Sequence, residues 1–305
     1  MTRRPILLMV NPGAGRKPSA GPRLADDPAR LEPDALAEAL RERRLEVVLH
    51  TLRETDDARE LARTAAGRGA DIVVAGGDGT VGTVAAALVG GDAALGIIPR
   101  GTFNNLATGY GLPLTLDAAL DLIARGAVGR VDAGWAYHDN RAEGRCFFEA
   151  GGVGLDALGF LAVELAERRG WWRAARLLWR GLRRRNTPVE VTLDGKVRRT
   201  RSPAVTVCNC PYLGLGFALA PEADPTDGIL NVALFSGMTQ LEVVRHFLSV
   251  ARRRPRREPR VHVRLARSVR VKGLLRALPA HADGEAMGLT PITFEVRPGA
   301  LRVFR

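Results

Sequence analysis

The sequence predicts an α/β domain with an open, mostly parallel sheet, followed by an antiparallel β domain with helical insertions. Two observations predict this fold class. Apolar runs alternate with helical patterns over the first 130 residues, and short apolar or alternating stretches dominate the remainder. A chain of 305 residues is long enough for two such domains, each with its own core. We therefore divide it into 1–130 and 131–305, with the last residues as candidates for a return to the first domain.

In the first domain, strands are predicted where short apolar runs end at polar or turn-forming residues. Helices are predicted where apolar side chains recur every three to four positions. The predicted strands are 6–10, 47–51, 71–75 and 95–98. The predicted helices are 34–44, 56–67 and 80–89. Strands and helices that alternate in this way form a parallel sheet, whose carboxyl edge is the usual place for a ligand.

In the second domain most elements are short strands, which is typical of an antiparallel sheet. The predicted strands are 146–150, 189–193, 204–208, 229–235, 261–265, 268–272 and 292–296. Two helical insertions are predicted, at 155–185 and 239–252.

The charge distribution separates the two domains. The net charge is +12, yet the first 130 residues hold sixteen cations and sixteen acids. Residues 168–201 carry +10 and residues 245–276 carry +11, which favours an anionic partner for the second domain. The three cysteines have no redox or zinc spacing, and neither a signal peptide nor a membrane-spanning run is predicted. A cytoplasmic location is therefore expected.

The sharpest motif is Gly76-Gly77-Asp78-Gly79-Thr80, between a predicted strand and a predicted helix. Glycines here allow backbone N–H groups to approach phosphate oxygens, because no Cβ intervenes. Asp78 would repel a phosphate unless Mg²⁺ lay between them or the carboxylate accepted a substrate proton, and both are roles in phosphoryl transfer. Read alone, the motif is also compatible with a simple turn between strand and helix.

Two further loops follow neighbouring predicted strands and carry similar residues. Asn11-Pro-Gly-Ala-Gly15 follows the first strand, and Pro99-Arg-Gly-Thr-Phe-Asn-Asn105 follows the fourth. The chain has neither the third glycine of the dinucleotide fingerprint nor a P-loop motif, which excludes both of those readings. The three loops together predict one nucleotide pocket.

In their order and spacing, these motifs resemble the diacylglycerol kinase catalytic domain family, which includes bacterial lipid kinases and sphingosine kinases. In the second half, Pro221-Glu-Ala-Asp-Pro-Thr-Asp-Gly-Ile-Leu230 and Asp283-Gly-Glu285 are similar to further motifs of this family. The resemblance implies an ATP-binding N-terminal domain of the NAD kinase-like type and a C-terminal β-sandwich with the lipid site. It also implies catalysis in the cleft between them.

The resemblance implies a role for particular residues. Asp78 would sit at the Mg²⁺–phosphate centre, and Glu285, with Asp283 beside it, would accept the hydroxyl proton of the lipid. ATP contacts are implied for Asn11, Gly13, Thr51, Gly76, Gly77, Asp78, Gly79, Thr80, Val81, Gly82, Gly101, Thr102 and Asn104. A structural Mg²⁺ is implied at Asp224, Asp227 and Ile229. Read without the family, Asp283-Gly284 and Asp227-Gly228 are typical turns, and His281 is expected beside the first of them.

Four positions depart from the family pattern. Gly82 and Thr83 stand where many members have Asn-Glu, Asn105 stands where many have Asp, and Asn231 replaces a frequent Asp. Because carboxylates are lost at Thr83 and Asn105, the handling of metal or substrate is expected to differ.

The basic segment 168–185 interleaves arginines with Trp171, Trp172 and Trp179. This pattern is typical of a helix that lies on an anionic bilayer, and the basic run 252–257 would extend the same surface. A solvated basic surface with tryptophans in the core is the alternative. Nucleic acid is a less expected partner, because no nucleic-acid-binding motif accompanies the charge.

The sequence thus predicts an ATP- and Mg²⁺-dependent lipid kinase, peripherally associated with a membrane, that phosphorylates a hydroxyl of diacylglycerol or a sphingoid-like lipid. One alternative is a small-molecule kinase, because NAD kinases resemble the chain in their Gly-Gly-Asp-Gly-Thr loop. The other is a nucleotide- or lipid-binding protein without turnover. The Pro-x-Gly-Thr-x-Asn and Asp-Gly-Glu segments favour the lipid acceptor, and a homodimer is left open.

Overall fold

A computed structural model describes residues 3–14, 32–157, 188–214, 216–251 and 258–305. The chain divides into two compact units, Met1–Asp132 with Gly299–Arg305, and Ala133–Pro298. The basic segment 168–185 and the basic run 252–257 lie outside the described residues, as does most of the predicted insertion at 155–185.

The elements of the described residues are numbered here in chain order. The strands are β1 (Ile6–Val10), β2 (Val47–Thr51), β3 (Asp71–Gly76), β4 (Ala94–Pro99), β5 (Val128–Tyr137), β6 (Arg145–Phe147), β7 (Ala150–Gly154), β8 (Pro188–Leu193), β9 (Lys196–Arg201), β10 (Ala204–Cys208), β11 (Tyr212–Leu213), β12 (Phe217–Ala218), β13 (Leu230–Phe235), β14 (Val261–Ala266), β15 (Ser268–Gly273), β16 (Pro279–Ala282), β17 (Glu285–Leu289) and β18 (Ile292–Phe304). The helices are α1 (Pro33–Glu42), α2 (Ala58–Gly67), α3 (Asp78–Leu88), α4 (Asn105–Gly109), α5 (Leu116–Arg125) and α6 (Gln240–Ala251).

The first unit is built on a parallel sheet with the strand order β2-β1-β3-β4. The last residues of β18 continue this sheet parallel to β4, with Arg302 opposite Ala94. The inner strands β1, β3 and β4 are apolar runs because both faces are covered, whereas the edge strand β2 is partly exposed. The loops after β1, β3 and β4 therefore leave the sheet at the same edge.

Apolar stripes and a polar cap explain the helices of this unit. α1 buries Leu36 and Leu40 and packs against β2 and α5, whereas α2 packs against α3 and β3. α2 begins at Asp57, whose carboxylate accepts the N–H groups of Arg59 and Glu60.

Two helices of the first unit are absent from the sequence prediction. α4 begins directly after Asn104, which adopts a left-handed conformation that sequence periodicity does not reveal. α5 buries Ala119, Leu120 and Ile123, and this helical spacing is a signal that could have found it.

The second unit consists of two packed antiparallel arrays. One sheet has the order β14-β13-β10-β7-β16-β17, and the other array has the order β18-β15-β8-β9. Both contribute to one core, in which Val205 and Val232 of the first sheet belong with Val191 and Val271 of the second. The predicted fold class, a parallel α/β part followed by an antiparallel β part, is confirmed.

The predicted strand 146–150 is wrong in one respect, because the chain forms β6 and β7 with a break between them. At the break, the N–H groups of Phe148, Glu149 and Ala150 donate to the carboxylate of Asp283 instead of to a neighbouring strand. The hairpin of β16 and β17, which carries Asp283, is also absent from the prediction. A long-range side-chain contact therefore overrides the local strand pattern.

The other face of the six-stranded sheet is covered by α6, whose Val243 packs with Phe235 of β13. Thr239 and Glu242 form a capping box: the Glu242 N–H donates to the Thr239 hydroxyl, and the Thr239 N–H donates to the Glu242 carboxylate at 2.7 Å. Hydrogen bonds from the N–H and hydroxyl of Thr239 and from Arg260 lower the pKa of Glu242 to about 2.

None of the helices in the described ranges is both long and apolar enough to cross a bilayer.

We predict that Glu242→Gln lowers the free energy of unfolding near neutral pH. This stability deficit relative to the wild type should become smaller in acid. Because the folded pKa of about 2 is below the ordinary value of 4.5, the ionised carboxylate stabilises the fold fully above pH 4.5. This contribution is lost as the pH falls from 4.5 towards 2. Unfolding of both proteins at several pH values measures the deficit, with Glu222→Gln as the charge control. A deficit that stays constant down to pH 2 would contradict this role for the carboxylate.

Candidate functional site

The loops after β1, β3 and β4 are joined to one another by hydrogen bonds and by backbone contact. The side-chain amide of Asn11 donates to the Thr80 hydroxyl at 2.8 Å, which links the first loop to the start of α3. The Asn11 side-chain oxygen accepts the Gly13 N–H at 2.9 Å, which turns the first loop back on itself. Asn11, Gly13 and Thr80, predicted as ATP contacts, are thus brought together.

Gly77 and Gly101 make the closest approach between two of these loops. A Cβ placed on Gly101 would lie 2.8 Å from the Gly77 Cα and 2.9 Å from the Asn104 side-chain oxygen. No side chain can occupy that space unless the backbone shifts. The Arg100 N–H also donates to the Gly76 carbonyl at 2.9 Å. The glycines at 77 and 101 are therefore explained by the contact between the two loops.

Asn104 fastens the loop that follows β4. Its side-chain oxygen accepts the Gly101 N–H at 2.8 Å and its amide donates to the Gly101 carbonyl at 3.0 Å. Asn104 itself has φ 51° and ψ 45°, a left-handed conformation that asparagine tolerates better than most residues. Its side chain thus shapes the loop, whereas the neighbouring Thr102 is exposed.

Asp78 is the first residue of α3, and Gly77 precedes it as the cap residue. One carboxylate oxygen of Asp78 accepts the Leu106 N–H at 3.1 Å, which ties the start of α3 to α4. No side chain in the described residues caps the start of α3. The first N–H groups of this helix and the positive end of its dipole are therefore directed at the loop edge, where an anion is favoured.

An open cavity of about 1010 Å³ lies at this edge of the first unit. Its walls include four of the predicted ATP contacts, residues that follow β2, and one further residue of α3: Asn11, Gly13, Gly79 and Thr80, then Arg53, Asp56 and Asp57, and Thr83. Thr51 is exposed at the end of β2, and the residues directly after it form this wall.

Two of the predicted contacts, Val81 and Gly82, lie within α3 and differ in exposure. Val81 is 2% exposed, and its N–H donates to the Gly77 carbonyl within α3, so its side chain belongs to the core. A Cβ on Gly82 would meet no described atom within 4 Å, so this position faces open space. Thr83, which stands in place of a family carboxylate, donates its hydroxyl to the Gly79 carbonyl at 2.9 Å.

In the second unit, Asp283 and Gly284 form the tight turn between β16 and β17, both with positive φ. The turn itself is exposed, but the Asp283 carboxylate lies against the break between β6 and β7. It accepts the N–H groups of Phe148, Glu149 and Ala150 at 2.6, 2.9 and 3.0 Å. Removal from bulk water raises the pKa of Asp283, and the three donors oppose that shift. Asp283 therefore fixes the position of the turn.

A buried pair supports the same turn from beneath. His281 is fully buried, its Nδ1 accepts the Gly284 N–H at 3.2 Å, and its Nε2 therefore carries the proton that it donates to Asp156 at 3.2 Å. The Thr206 hydroxyl donates to the same carboxylate oxygen at 2.9 Å. A Cβ on Gly152 would lie 2.0 Å from that oxygen, so only glycine leaves room for the pair.

Glu285, the implied proton acceptor, begins β17 directly after the turn. Its side chain is 66% exposed, and its carboxylate lies 3.4 Å from the guanidinium of Arg145 in β6. The carboxylate is accessible to a substrate, and Arg145 defines one side of it. The turn thus carries one carboxylate engaged with the backbone, Asp283, and one exposed to solvent, Glu285.

Asp224, Asp227 and Ile229, the implied metal residues, lie on a single loop before β13. The Asp224 carboxylate accepts the N–H and the hydroxyl of Thr226 at 2.9 and 2.7 Å, and the Asp227 carboxylate accepts the Ile229 N–H at 2.8 Å. Both carboxylates are exposed. Within the described ranges, no group of three or more His, Cys, Asp or Glu side chains could hold a metal.

The residues present differ in how well they fit the two implied ligands. For a nucleotide phosphate the fit is good, because α3 begins without a side-chain cap and a Cβ on Gly79 would enter open space. For Mg²⁺ the described side chains offer Asp78 in the first unit and the loop of Asp224 and Asp227 in the second. Mg²⁺ commonly takes one or two carboxylates and completes its coordination with substrate phosphates and water.

Several residues of these sites are missing from the sequence prediction. Asp56, on the cavity wall, accepts the Arg53 N–H at 3.0 Å and bonds His50 at 2.9 Å, and these bonds lower its pKa. Its place in the loop that follows a parallel strand is the signal that could have found it. Glu149, whose carboxylate accepts the Gly214 N–H at 2.8 Å, carries no comparable local signal. His281, which the sequence places beside the turn, lies there fully buried.

These features define a class of protein: a parallel α/β unit with an anion-binding loop edge, joined to an antiparallel β unit with an exposed carboxylate on a turn. Residues 5–136 match the diacylglycerol kinase catalytic domain. Residues 166–305 match the YegS C-terminal NAD kinase beta sandwich-like domain. The resemblance that the motifs predicted is thus confirmed for residues 5–136, and this domain family indicates a kinase.

Individual relatives agree with this assignment. A diacylglycerol kinase of Mycobacterium tuberculosis is 28% identical over 274 residues, which cover 87% of each chain. A protein of Escherichia fergusonii named "Probable lipid kinase YegS" is 30% identical over 195 residues, covering 61% of this chain and 60% of that protein. A crystal structure of a diacylglycerol kinase from Bacillus anthracis has the same fold, with a TM-score of 0.71 at 23% identity over 99% of this chain and 96% of that one.

We predict opposite effects of the same substitution at two loop glycines. Gly101→Ala forces the loops apart and should destabilise the first unit by about 1–3 kcal/mol, the usual effect of overpacking. Gly82→Ala should stabilise it by about 0.5–1 kcal/mol, because alanine is favoured within a helix and meets no neighbour. Urea unfolding, with hydrogen exchange in β3 and β4, measures both. Equal effects of the two substitutions would show that the loop contact carries no constraint.

Proposed function

We propose that the protein is an ATP- and Mg²⁺-dependent lipid kinase that transfers the γ-phosphoryl group to a hydroxyl of diacylglycerol or a related membrane lipid. The single observation that carries the proposal is the loop edge of the first unit. There, three loops are joined around the uncapped start of α3, beside a cavity large enough for a nucleotide.

ATP, when bound, supplies the phosphoryl group, and the residues of the first unit hold its phosphates. The N–H groups at the start of α3 face the phosphate oxygens, and the helix dipole favours their negative charge. Gly79 leaves the backbone accessible, and the Asn11–Thr80 hydrogen bond holds the first loop against the helix. Asp78 is the carboxylate that would hold Mg²⁺ beside the phosphates, while its bond to Leu106 keeps it in place.

Glu285 would accept the proton of the lipid hydroxyl. The lipid oxygen bonds to the γ-phosphorus, the bond from that phosphorus to the bridging oxygen breaks, and ADP leaves. Glu285 is accessible, and it is held at the start of β17 by a turn that Asp283 and His281 fix from two sides. Asp283 is therefore a positioning residue, and Glu285 is the catalytic one.

The second implied Mg²⁺ would be held by the loop of Asp224, Asp227 and Ile229. The hydrogen bonds from Thr226 and Ile229 already order this loop, so a cation would find exposed carboxylates in a fixed arrangement. The role would be structural, because the loop leads directly into β13 of the core sheet.

The lipid acceptor is supported by relatives named diacylglycerol kinase and lipid kinase. A lipid acceptor also means that the protein works at a membrane surface, to which the basic segment 168–185 remains a predicted contact. The second candidate function is nucleotide or lipid binding without turnover. Thr83 favours it, because its hydroxyl is committed to the Gly79 carbonyl where family members have a carboxylate.

The decisive assay incubates the purified protein with labelled ATP and Mg²⁺ against a panel of lipids and NAD, and separates the products. A phosphorylated lipid is the expected product. Phosphorylated NAD without a lipid product would overturn the lipid acceptor. Nucleotide binding without any product would favour the second candidate.

We predict that Glu285→Gln lowers kcat by about a hundredfold or more, because the amide cannot accept the proton. Its stability should not change, since the side chain is exposed. Asp283→Asn should lower both activity and stability, because an amide cannot accept all three N–H groups. Glu190→Gln, the same change at another glutamate paired with an arginine, is the control. A Glu285→Gln enzyme with wild-type kcat would remove Glu285 from the mechanism.

We predict that Asp78→Asn abolishes turnover but leaves the fold intact. The asparagine oxygen can still accept the Leu106 N–H, whereas the charge that would hold Mg²⁺ is lost. Turnover at increasing Mg²⁺ and thermal unfolding separate the two effects. Asp92→Asn, at an exposed turn of the same unit, is the control. Full turnover by Asp78→Asn at ordinary Mg²⁺ would contradict the assignment.

A further inference from the structure

Three exposed leucines lie at one corner of the second unit, and we call them the leucine corner. Leu274 and Leu275 follow β15 and are 38% and 81% exposed, and Leu289 at the end of β17 is 58% exposed. Leu275 is the most exposed of the large apolar side chains in the described residues. A scattered exposed leucine is ordinary, but apolar side chains that share one corner indicate a surface that meets another apolar phase.

Hydrogen bonds to Thr290 hold the two parts of the leucine corner together. The Thr290 hydroxyl accepts the N–H groups of Gly273 and Leu278 at 3.4 and 3.0 Å, and the Thr290 N–H donates to the Leu278 carbonyl at 2.8 Å. Leu278 itself belongs to the core. The Leu274 N–H donates to the Pro188 carbonyl at 3.0 Å, which anchors the loop to β8. Leu274 and Leu275 are thus carried by a braced loop, and Leu289 directly precedes the threonine to which that loop is bonded.

The strands that lead to the leucine corner are rich in cations. Segments 188–201 and 267–276, which form the neighbouring strands β8, β9 and β15, contain eight cations and two acids. Lys272 lies at the end of these strands that is next to Leu274, whereas Lys196 and Arg267 lie at the opposite end. Lys272 pairs with Glu190, and Glu190 pairs with Arg199, whose guanidinium bonds its carboxylate at 2.9 Å. Arg201 lies opposite Pro188, the residue to which the leucine loop is anchored. An apolar tip beside a cationic strand surface matches the layers of an anionic bilayer, in which acyl chains lie beneath charged headgroups.

We propose that the leucine corner inserts into an anionic lipid bilayer while the cations of the adjacent strands β9 and β15 bind the headgroups. A second copy of the chain fits this surface less well. Symmetric pairing of two copies would bring the same cations close to each other. The surface of three leucine side chains is also small compared with the area of about 1,200–2,000 Å² that stable interfaces bury. The inference deepens the proposed function, because an enzyme with a lipid acceptor must reach the bilayer.

The first test is binding to vesicles made of equal parts phosphatidylcholine and phosphatidylglycerol, with phosphatidylcholine alone as the comparison. Leu275→Gln combined with Leu289→Gln should weaken binding more than about tenfold, because two apolar side chains no longer leave water. Leu241→Gln, the same change at a 50% exposed leucine of α6, should leave binding unchanged. Added salt should weaken the binding of the wild-type protein to the anionic vesicles, because salt screens the cations from the headgroups.

A second measurement reports insertion at the leucine corner itself, even if other surfaces hold the protein on the vesicle. An environment-sensitive dye on Leu275→Cys should shift its emission to the blue on anionic vesicles. The same dye on Leu241→Cys should not, and this variant controls for labelling of the three native cysteines.

Three results would each overturn the inference. The first is that the wild-type protein does not bind the anionic vesicles. The second is that the double variant binds them as tightly as the wild type and the emission of the dye at position 275 does not shift. The third is that light scattering shows a dimer that the double variant loses, which would make the leucine corner an interface between copies. Vesicle binding is measured without ATP, so it remains readable if the protein has no kinase activity. Conversely, turnover of a soluble short-chain diacylglycerol remains readable if the vesicles are not bound.

Discussion

The close approach of two backbones at Gly77 and Gly101 is the constraint on which the first unit's site depends. Loops after parallel strands always share an edge, but they meet only if nothing separates them. Because neither residue has a Cβ, the loops after β3 and β4 come into contact, and Asp78 reaches the Leu106 N–H across them. The start of α3 is thereby fixed in direction, and a helix start that is fixed and uncapped is what a phosphate group requires.

In the second unit a loop is also held in a fixed position, but by hydrogen bonds to a carboxylate and a histidine instead of by contact between glycines. A two-residue turn is a weak platform by itself, yet the turn at Asp283 is held by three N–H donors on one side and by His281 on the other. The cost of burying His281 is offset by its partner Asp156, which also takes the Thr206 hydroxyl. The interpretation of Asp283-Gly284 as a turn and its interpretation as part of a kinase motif are therefore compatible, since the turn presents Glu285.

The sequence predicted what depends on local patterns and missed what depends on distant partners. Strand β1 matches its predicted limits, because its continuous apolar run ends at Asn11 and Pro12, and β2 matches its limits as well. The break between β6 and β7 could not be predicted, because its cause, Asp283, lies more than a hundred residues away in the sequence. The same holds within the site. The sequence shows that Asn104 has a side-chain oxygen and a side-chain amide, but not that both groups are bonded to Gly101.

Charge and apolar exposure carry different information about where a protein works. A cationic surface attracts any polyanion, and its attraction declines with salt, so the net charge of +12 does not by itself distinguish a membrane from nucleic acid. Exposed leucines favour the membrane, because a hydrated phosphate backbone does not remove an apolar side chain from water, whereas the acyl chains of a bilayer do. The braced loop at Thr290 strengthens this argument, since a tip that is already ordered loses little conformational entropy when it inserts.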